Sequence, residues 1–226
     1  MTTNSNQPKP FNCYYGFIVE GSTDKYFLEY FLKKFIETEK LEITHDKKQE
    51  IAEVKTITKD GGKDNFNKIN CEVHLDHKNL PEFLILINDV DGPKNGGYET
   101  RKEQMEKLKK EINHKFPDLK IIYYIFPFNN NHEGQLEDLF LSSLKSDYEN
   151  KLICIDEFQK CLEKTLPKPR IDKHKIPETK VNILLSAFGT KMNKAVDWID
   201  YSHESLSGLK GFLGQEVFKI KSYNKK

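Results

Sequence analysis

The stretch Phe83-Leu84-Ile85-Leu86-Ile87-Asn88-Asp89-Val90-Asp91-Gly92 decides how the rest of the chain is interpreted. It opens with five consecutive apolar residues, which lie between Pro81 and Gly92-Pro93. A run this short, rich in Ile and Leu and bounded by helix-breaking residues, predicts a strand that is buried on both faces. Such strands form the centre of parallel sheets, and we therefore take this one as the middle of the fold.

Two carboxylates, Asp89 and Asp91, end this predicted strand. Side chains at i and i+2 of a strand share a face, with Cα atoms roughly 6–7 Å apart. Two such groups repel each other and lose hydration, so one should protonate unless a cation lies between them. A hard divalent ion such as Mg²⁺ would resolve the conflict. The alternative is a surface turn, because Asp-Gly and Gly-Pro both favour turns.

Length and composition limit the classes of protein to consider. A chain of 226 residues can bury one good core and add a helical appendage. The formal net charge of +1 gives no overall field that would draw the chain to nucleic acid or to a membrane. No apolar run approaches the roughly 20 residues that span a bilayer. We expect a protein that does not bind membranes; its oligomeric state is left open.

The N-terminal residues and the cysteines indicate a cytoplasmic protein. Residues 1–10 are polar and have no apolar segment of the kind found in signal peptides, so we expect a loose tail. The four cysteines form no Cys-x-x-Cys pair and are expected to be reduced thiols, either in the core or at the surface.

The order of the predicted elements indicates an α/β fold. Strands alternate with helices up to about residue 148, which predicts a mainly parallel sheet with helices on both faces. We predict a tail over residues 1–11, an α/β domain over 12–148 and a helical C-terminal extension over 149–226. The predicted strands are residues 12–19, 52–58, 83–87 and 119–126, and the main helices begin near Ser22, Tyr98 and Gly134. A short helix is also predicted from Asp64 to about residue 71. In the C-terminal part we expect an extended connector over residues 166–170 and helix over 181–188 and 192–199, interrupted or capped near Gly189.

Acidic residues follow several of these strands. Sites in parallel sheets gather beyond the carboxyl ends of the strands, which is where we expect Glu20, Asp89, Asp91 and Glu137. Asp24 lies one helical turn past Glu20 and could face the same cleft. Its alternative role is to stabilise the dipole of its helix, as acids in a first turn do.

The motif Val19-Glu20-Gly21-Ser22-Thr23-Asp24, followed later by Asp89-Val90-Asp91-Gly92, resembles the signature of the Toprim domain. The additional acid Asp24 and the segment Gly134-Gln135-Leu136-Glu137 resemble the nuclease branch typified by the overcoming-lysogenization-defect (OLD-like) proteins. The chain is most similar to small stand-alone Toprim-like proteins that are classed as a domain of unknown function. The resemblance implies a Rossmannoid sheet and spans about residues 14–140.

The resemblance also implies an activity and the roles of the acidic residues. It implies a nuclease that cleaves DNA or RNA with Mg²⁺ or Mn²⁺, and it suggests a role in defence against phage. Asp89 and Asp91 would hold one metal ion, and Glu20 would bind metal or act as general base. Asp24 and Glu137 would serve a second ion. Two metal ions can stabilise both the attacking and the leaving oxygen of a phosphodiester.

We also expect a cationic residue that binds the phosphate, and we consider a partner protein. Lys63 and Lys94 are candidate phosphate-binding residues, because developing phosphate charge needs a cation nearby. Nuclease relatives often carry an ATPase domain in the same chain. Gly61-Gly62-Lys63 is not a P-loop, since position 57 is Ile57 and not glycine. The enzyme would therefore act alone or with a separate ATPase partner.

Two other functions compete with the nuclease. Asp89 to Gly92 also matches the nucleophile motif of haloacid-dehalogenase-like phosphatases, in which Asp89 would be the nucleophile. That motif normally opens its domain, whereas two predicted strands precede it here. A non-catalytic module that keeps the Toprim fold and binds a partner is the other alternative.

A possible zinc pattern lies between the predicted strands. Cys71, His74 and His77 have ligand-like spacing, but a structural zinc site usually needs four ligands. We therefore favour a plain surface helix or loop over a metal site there.

Overall fold

The computed structural model describes residues 10–39, 50–57, 66–90, 97–126, 134–165 and 176–219. Within these ranges the strands form one four-stranded parallel sheet in the order β2-β1-β3-β4. The strands are β1 (Cys13–Val19), β2 (Glu50–Thr56), β3 (Phe83–Asp89) and β4 (Lys120–Phe126). The predicted α/β class and the central position of the Phe83 strand are confirmed.

Helices connect the strands and make up the C-terminal part of the chain. The connecting helices are α1 (Ser22–Glu39), α2 (Lys68–Glu72) and α3 (Gly97–Lys115). The later helices are α4 (Leu136–Ser142), α5 (Ser146–Thr165), α6 (Ile176–Ala187), α7 (Met192–Ala195) and α8 (Ser207–Phe212). The predicted helical C-terminal part is therefore confirmed. In the portions of the chain that the structure describes, no helix is both long enough and apolar enough to cross a membrane.

The chain forms two compact units that alternate along the sequence. The first comprises Met1–Asn88 and Arg101–Tyr124, and the second comprises Asp89–Thr100 and Ile125–Lys226. The boundary between the units therefore falls within β3, α3 and β4. The boundaries predicted from the sequence, at residues 11 and 148, stay predictions.

The core of the first unit contains the sheet. Ile18 of β1 and Leu86 of β3 lie in one apolar cluster with Met105, Leu108 and Ile112 of α3. Because side chains alternate along a strand, the neighbouring residues face the other way, and they are buried too. Burial on both faces explains why these strands are continuous apolar runs. On α1 the buried side chains are Phe27, Leu28, Phe31, Leu32 and Phe35.

Phe11 is part of this core, although the sequence analysis assigns it to the tail. Its side chain is fully buried, and its backbone N–H donates to the carbonyl of His74 at 3.1 Å. The ring lies against Gly16 of β1, where a Cβ atom would lie only 3.1 Å from three of the ring carbons. The aromatic ring thus fills the gap that a glycine leaves in the middle of a strand.

The second unit is mainly helical. Leu136, Leu139 and Phe140 of α4 are buried, as are Val181 and Leu184 of α6, which packs against α4. The end of α6 has a Schellman motif, in which Gly189 adopts a φ of +57°. The N–H of Gly189 donates to Ser186 at 3.0 Å, and that of Thr190 donates to Leu185 at 3.0 Å. The predicted capping near Gly189 is confirmed.

Some boundaries differ from those predicted. The short helix expected from Asp64 is described only from Lys68, where Asn67 accepts the N–H of Asn70 at 3.1 Å as N-cap. The helix expected over residues 192–199 is α7 followed by a 3₁₀ turn at Val196–Trp198. The connector expected at residues 166–170 lies outside the described residues.

Candidate functional site

Glu20 and Asp24 lie in the first unit, where β1 passes into α1. Glu20 is half-buried and directly follows the strand. The carboxylate of Asp24 accepts the backbone N–H of Gly21 at 2.8 Å, and the N–H of Lys25 donates to the Gly21 carbonyl at 3.1 Å. Asp24 therefore closes the turn that holds Glu20, in addition to placing a negative charge at the N-terminus of α1. Asp24 thus has the alternative role that the sequence left open, which is to stabilise the start of its own helix.

Asp89 lies in the second unit and is the last residue of β3. It is half-buried, and its Oδ1 accepts the backbone N–H of Leu136 at 3.1 Å. The next residue, Val90, still bonds to the neighbouring strand β4: its N–H donates to the Phe126 carbonyl at 3.1 Å. The carboxylate is thus fixed against the first residue of α4, directly before Glu137. The structure brings Asp89 together with the start of α4, two segments that are 47 residues apart in the sequence.

Glu137 is a half-buried carboxyl group with acidic neighbours. Its pKa is raised, chiefly because burial disfavours the charged form, and the negative charges of Glu178 and Asp138 add to the effect. A hydrogen bond to its own backbone N–H acts in the opposite direction. A nearby cation would stabilise the ionised form, which is the situation that we expected for acids at this edge of the sheet.

Asp138 is occupied by the cap of α4. Its carboxylate accepts the N–H of Gln135 at 2.8 Å, as in a capping box. Burial raises the pKa of Asp138, while the bond from Gln135 and the charge of Lys180 lower it. Of the two adjacent acids, Asp138 therefore holds the helix start, and Glu137 remains the candidate for chemistry.

Three predicted site residues, Asp91, Lys63 and Lys94, lie outside the described residues. The others fall into two pairs, Glu20 with Asp24 in the first unit and Asp89 with Glu137 in the second. In the sheet, β1 and β3 are neighbouring parallel strands, paired from Tyr15 with Phe83 to Ile18 with Leu86. Their carboxyl ends therefore point in the same direction.

Two of these residues have the donor chemistry of a site for a hard divalent cation. Carboxylate oxygens are the ligands that Mg²⁺ and Mn²⁺ prefer, so Asp89 and Glu137 are of the right type. Among the residues that the structure describes, no three His, Cys, Asp or Glu side chains are grouped so as to hold a metal ion. A complete ligand set in this region would have to include residues outside the described ranges, and Asp91 is the one predicted from the sequence.

Two polar residues near the predicted site were missed by sequence reasoning. Asn88 is only 1 % exposed although it lies between an apolar run and Asp89. Glu178, in the first turn of α6, acts on Glu137 from a distant part of the sequence. No local pattern marks either residue, because Asn88 continues a strand and Glu178 resembles any acid at a helix start.

The interpretation of Cys71 and His74 as surface residues is wrong. Cys71 is fully buried and His74 is 6 % exposed, whereas His77 is exposed and contacts the ring of Phe116 at 4.6 Å between centroids. Burial raises the pKa of Cys71 to about 12, so its thiol stays protonated and is a poor metal ligand. His74 Nε2 instead bonds the Thr56 carbonyl at 3.1 Å and ties the segment after α2 to β2. Because both side chains belong to the core, we do not propose a zinc site here.

Comparison with known proteins gives a family but no activity. A search of curated proteins and a search of solved structures each find no match for the chain. One family matches over residues 15–216, a range that begins within β1 and includes β2 to β4 and α1 to α8. The chain therefore belongs to the family described as "Protein of unknown function (DUF3226)".

Proposed function

We propose that this chain is a metal-dependent nuclease with a Toprim-like domain, which hydrolyses phosphodiester bonds of DNA or RNA with Mg²⁺ or Mn²⁺. The observation that carries the proposal is the position of Asp89. Its carboxylate ends the central strand and bonds the first residue of α4, next to the half-buried Glu137. Acidic residues at the carboxyl end of a parallel strand are typical of sites that bind a divalent cation.

The proposal gives each acidic residue a role. Asp89 and Asp91 would hold one ion, and Glu20 would be a further ligand or the general base that receives the proton of the attacking water. Glu137 and Asp24 would serve a second ion. Bound metal would supply charge stabilisation for the phosphodiester and a water of lowered pKa. Lys63 and Lys94 are the candidate residues for binding phosphate oxygens.

The bond from Leu136 to Asp89 supports this arrangement physically. A backbone N–H that donates to one carboxylate oxygen fixes the direction of the group without adding a side-chain charge. A fixed carboxylate loses less conformational entropy when it binds an ion. This fixed orientation supports the ligand role that we propose for Asp89.

The wider biological proposals follow from the same resemblance. We propose a cytoplasmic location, which is supported by four free cysteines, two of them exposed, since exposed free thiols persist in reducing compartments. The proposal also includes a role in defence against phage, alone or with a separate ATPase partner.

The test is a cleavage assay on single- and double-stranded DNA and RNA with Mg²⁺, Mn²⁺ or EDTA. Wild type should cleave at least one substrate in a metal-dependent way, and Glu20→Ala and Asp89→Asn should each lower the rate at least about 100-fold. Glu103→Gln, which changes an exposed acid of α3, is the matched control and should cleave normally. Asp89→Asn keeps an oxygen that can accept from Leu136, so its loss of activity would reflect charge.

Other outcomes of the same experiment would reject the proposal. Cleavage that survives Glu20→Ala would remove the site from consideration. Hydrolysis of small phosphoesters only, with a trapped phosphoryl group on Asp89, would indicate the phosphatase instead. A lack of cleavage, together with a cellular effect that survives Asp89→Asn and Asp91→Asn, would indicate a non-catalytic binding module.

A further inference from the structure

A cluster of three aromatic rings lies at the surface of the second unit. Tyr148 near the start of α5 and Trp198 at the end of the 3₁₀ turn are stacked, with ring centroids 4.6 Å apart and planes at 16°. Phe188, directly after α6, meets Trp198 edge-on at 5.1 Å and Tyr148 at 6.0 Å. We call these three residues the aromatic cluster. Because the residues come from three separate segments, the cluster is a product of the tertiary fold.

The cluster is open to solvent. Phe188 is 43 % exposed, and both Tyr148 and Trp198 are partly exposed. Trp198 is expected in the core, as a large aromatic residue usually is, and its partial exposure corrects that expectation. A phenylalanine ring has no polar atom to interact with water, so exposing it carries a free-energy cost that a stacking ligand would remove.

A lysine lies directly over this surface. Nζ of Lys151 is 4.4 Å from the ring centroid of Tyr148 and 4.6 Å from that of Phe188. These distances are within the range of cation–π interaction. The electron-rich ring faces therefore already have a cation, and the charge of Lys151 would repel a second cation. The surface is suited instead to a flat aromatic ligand with an adjacent negative charge.

The backbone under the cluster is fixed on two sides. The N–H of Lys145 donates to the Trp198 carbonyl at 2.8 Å, and Leu144 forms an antiparallel bridge with Ile199. Phe188 directly precedes Gly189, whose Schellman motif ends α6. Fixed rings lose little entropy when they bind, which is a property of preorganised recognition surfaces.

We infer that the aromatic cluster and Lys151 bind single-stranded nucleic acid, with an unstacked base against Phe188 and a phosphate at the lysine. Proteins that bind single strands combine aromatic stacking with nearby positive charge in this way. The inference rests on the proposed nuclease function and deepens it, because it names a single-stranded region as the substrate class. A duplex keeps its bases stacked within the helix and would not occupy the cluster.

The chain contains a built-in reporter for this inference. Trp198 is the only tryptophan, so intrinsic tryptophan fluorescence reports on this surface alone. Stacking of a base beside it should quench the emission. The experiment titrates the full chain in EDTA with single-stranded DNA and RNA oligonucleotides of mixed sequence, and with the corresponding duplexes. Without metal there is no cleavage, so binding is measured separately from catalysis.

Variants separate stacking from packing. Phe188→Ala should weaken single-strand binding about 5- to 150-fold, the range measured for loss of one stacked base. Phe188→Leu keeps apolar volume without an aromatic face, so it should bind as weakly as Phe188→Ala if stacking matters. Lys151→Gln should reduce the salt dependence of binding by a slope of about 0.7. Phe158→Ala removes another exposed phenylalanine of the same unit, 52 % exposed, and should bind normally.

The results distinguish failure of the inference from failure of the proposed function. Single-strand binding that depends on Phe188 and Lys151, without any cleavage when metal is added, would support the inference and reject the nuclease. Cleavage by a chain whose Trp198 emission does not respond to oligonucleotides would reject the inference alone. The inference would also be overturned if Phe188→Leu bound single strands as tightly as the wild type, or if Phe158→Ala weakened binding as much as Phe188→Ala. Quenching of Trp198 emission by the cation tetramethylammonium, but not by oligonucleotides, would overturn it as well.

Discussion

Gly16 offers the sharpest test of the packing around β1, the strand that leads to Glu20. A Cβ atom at position 16 would lie 3.1 Å from three ring carbons of Phe11. Ordinary carbon contacts are about 3.5–4.0 Å, so the ring would have to move by about half an ångström. Phe11 is fully buried and cannot turn out to solvent, while its backbone is held by the bond to His74. We therefore expect Gly16→Ala to strain the core.

The magnitude follows from two opposing effects. Overpacking of a well-packed core costs about 1–3 kcal/mol. In the opposite direction, alanine lowers the backbone entropy of the unfolded chain, which stabilises the folded protein by about 0.4–1 kcal/mol. The net loss in the free energy of unfolding should be about 1–2 kcal/mol, which corresponds to a fall of about 2–8 °C in Tm for a chain of this size.

The assay is urea unfolding followed by far-UV circular dichroism, with a double-mutant cycle. Phe11→Leu removes the ring atoms that an added methyl group would meet, so the loss from Gly16→Ala should shrink by at least about 1 kcal/mol in that background. Gly211→Ala is the matched control. A Cβ atom on Gly211 would have no neighbour within 4 Å, and this glycine lies within α8. We expect Gly211→Ala to be neutral or stabilising by up to about 1 kcal/mol.

Unfolding of Gly16→Ala at the same urea concentration as the wild type would show that Phe11 leaves room for a methyl group. Simple addition of the effects of Gly16→Ala and Phe11→Leu would also refute the expected loss, since that loss depends entirely on the contact between the two positions.

Three further predictions concern titration and the end of α6. Burial raises the pKa of Glu137, so the stability that this group contributes is complete below the ordinary carboxyl pKa and is lost as pH rises through the folded pKa. In EDTA, Glu137→Gln should therefore be more stable than the wild type at pH 8 and similar at pH 4; urea unfolding checks this, and lower stability at pH 8 would contradict it. Burial lowers the pKa of His74, so the stability that its neutral form contributes is present above the ordinary histidine pKa and is lost as pH falls. The free energy of unfolding of His74→Gln should therefore depend less on pH than that of the wild type between pH 7 and 5. An unchanged slope in that window would show that His74 is not the titrating group. Gly189→Ala should lower stability by about 1–2 kcal/mol in thermal unfolding, because its φ of +57° is unfavourable for a residue with a side chain. If Gly189→Ala changes the free energy of unfolding no more unfavourably than Gly211→Ala does, the cap does not require glycine.

The strands and most helices could be predicted from the sequence because their signals are local. The run that begins at Phe83 lies between Pro81 and Gly92, and burial on both faces requires continuous apolar residues. The helix after Ser22 shows its apolar stripe at three- and four-residue spacing, and Phe27 and Phe31 of that stripe are buried. Where a pattern was short, as at α2 and α7, the predicted boundaries were less accurate.

The positions of the acidic residues were only partly predictable. Asp89 follows from the end of its strand, and the sequence places it at the carboxyl edge of the sheet. The sequence could not show that its carboxylate bonds Leu136, or that Glu178 acts on the pKa of Glu137. Such pairs are made by elements that meet only in the folded chain. The roles predicted for Asp91, Lys63 and Lys94 stay predictions, because these residues lie outside the described ranges.

The sequence by itself determined the α/β class, because the local pattern of apolar and polar residues shows the alternation of buried strands and amphipathic helices. Tertiary structure alone decided that Cys71 and His74 belong to the core, that Phe11 fills the space beside Gly16, and that Phe188 and Trp198 form a surface with Tyr148. The physical reason is distance along the chain. Periodicity records which face of an element is apolar, but it carries no information about which remote side chain that element will meet.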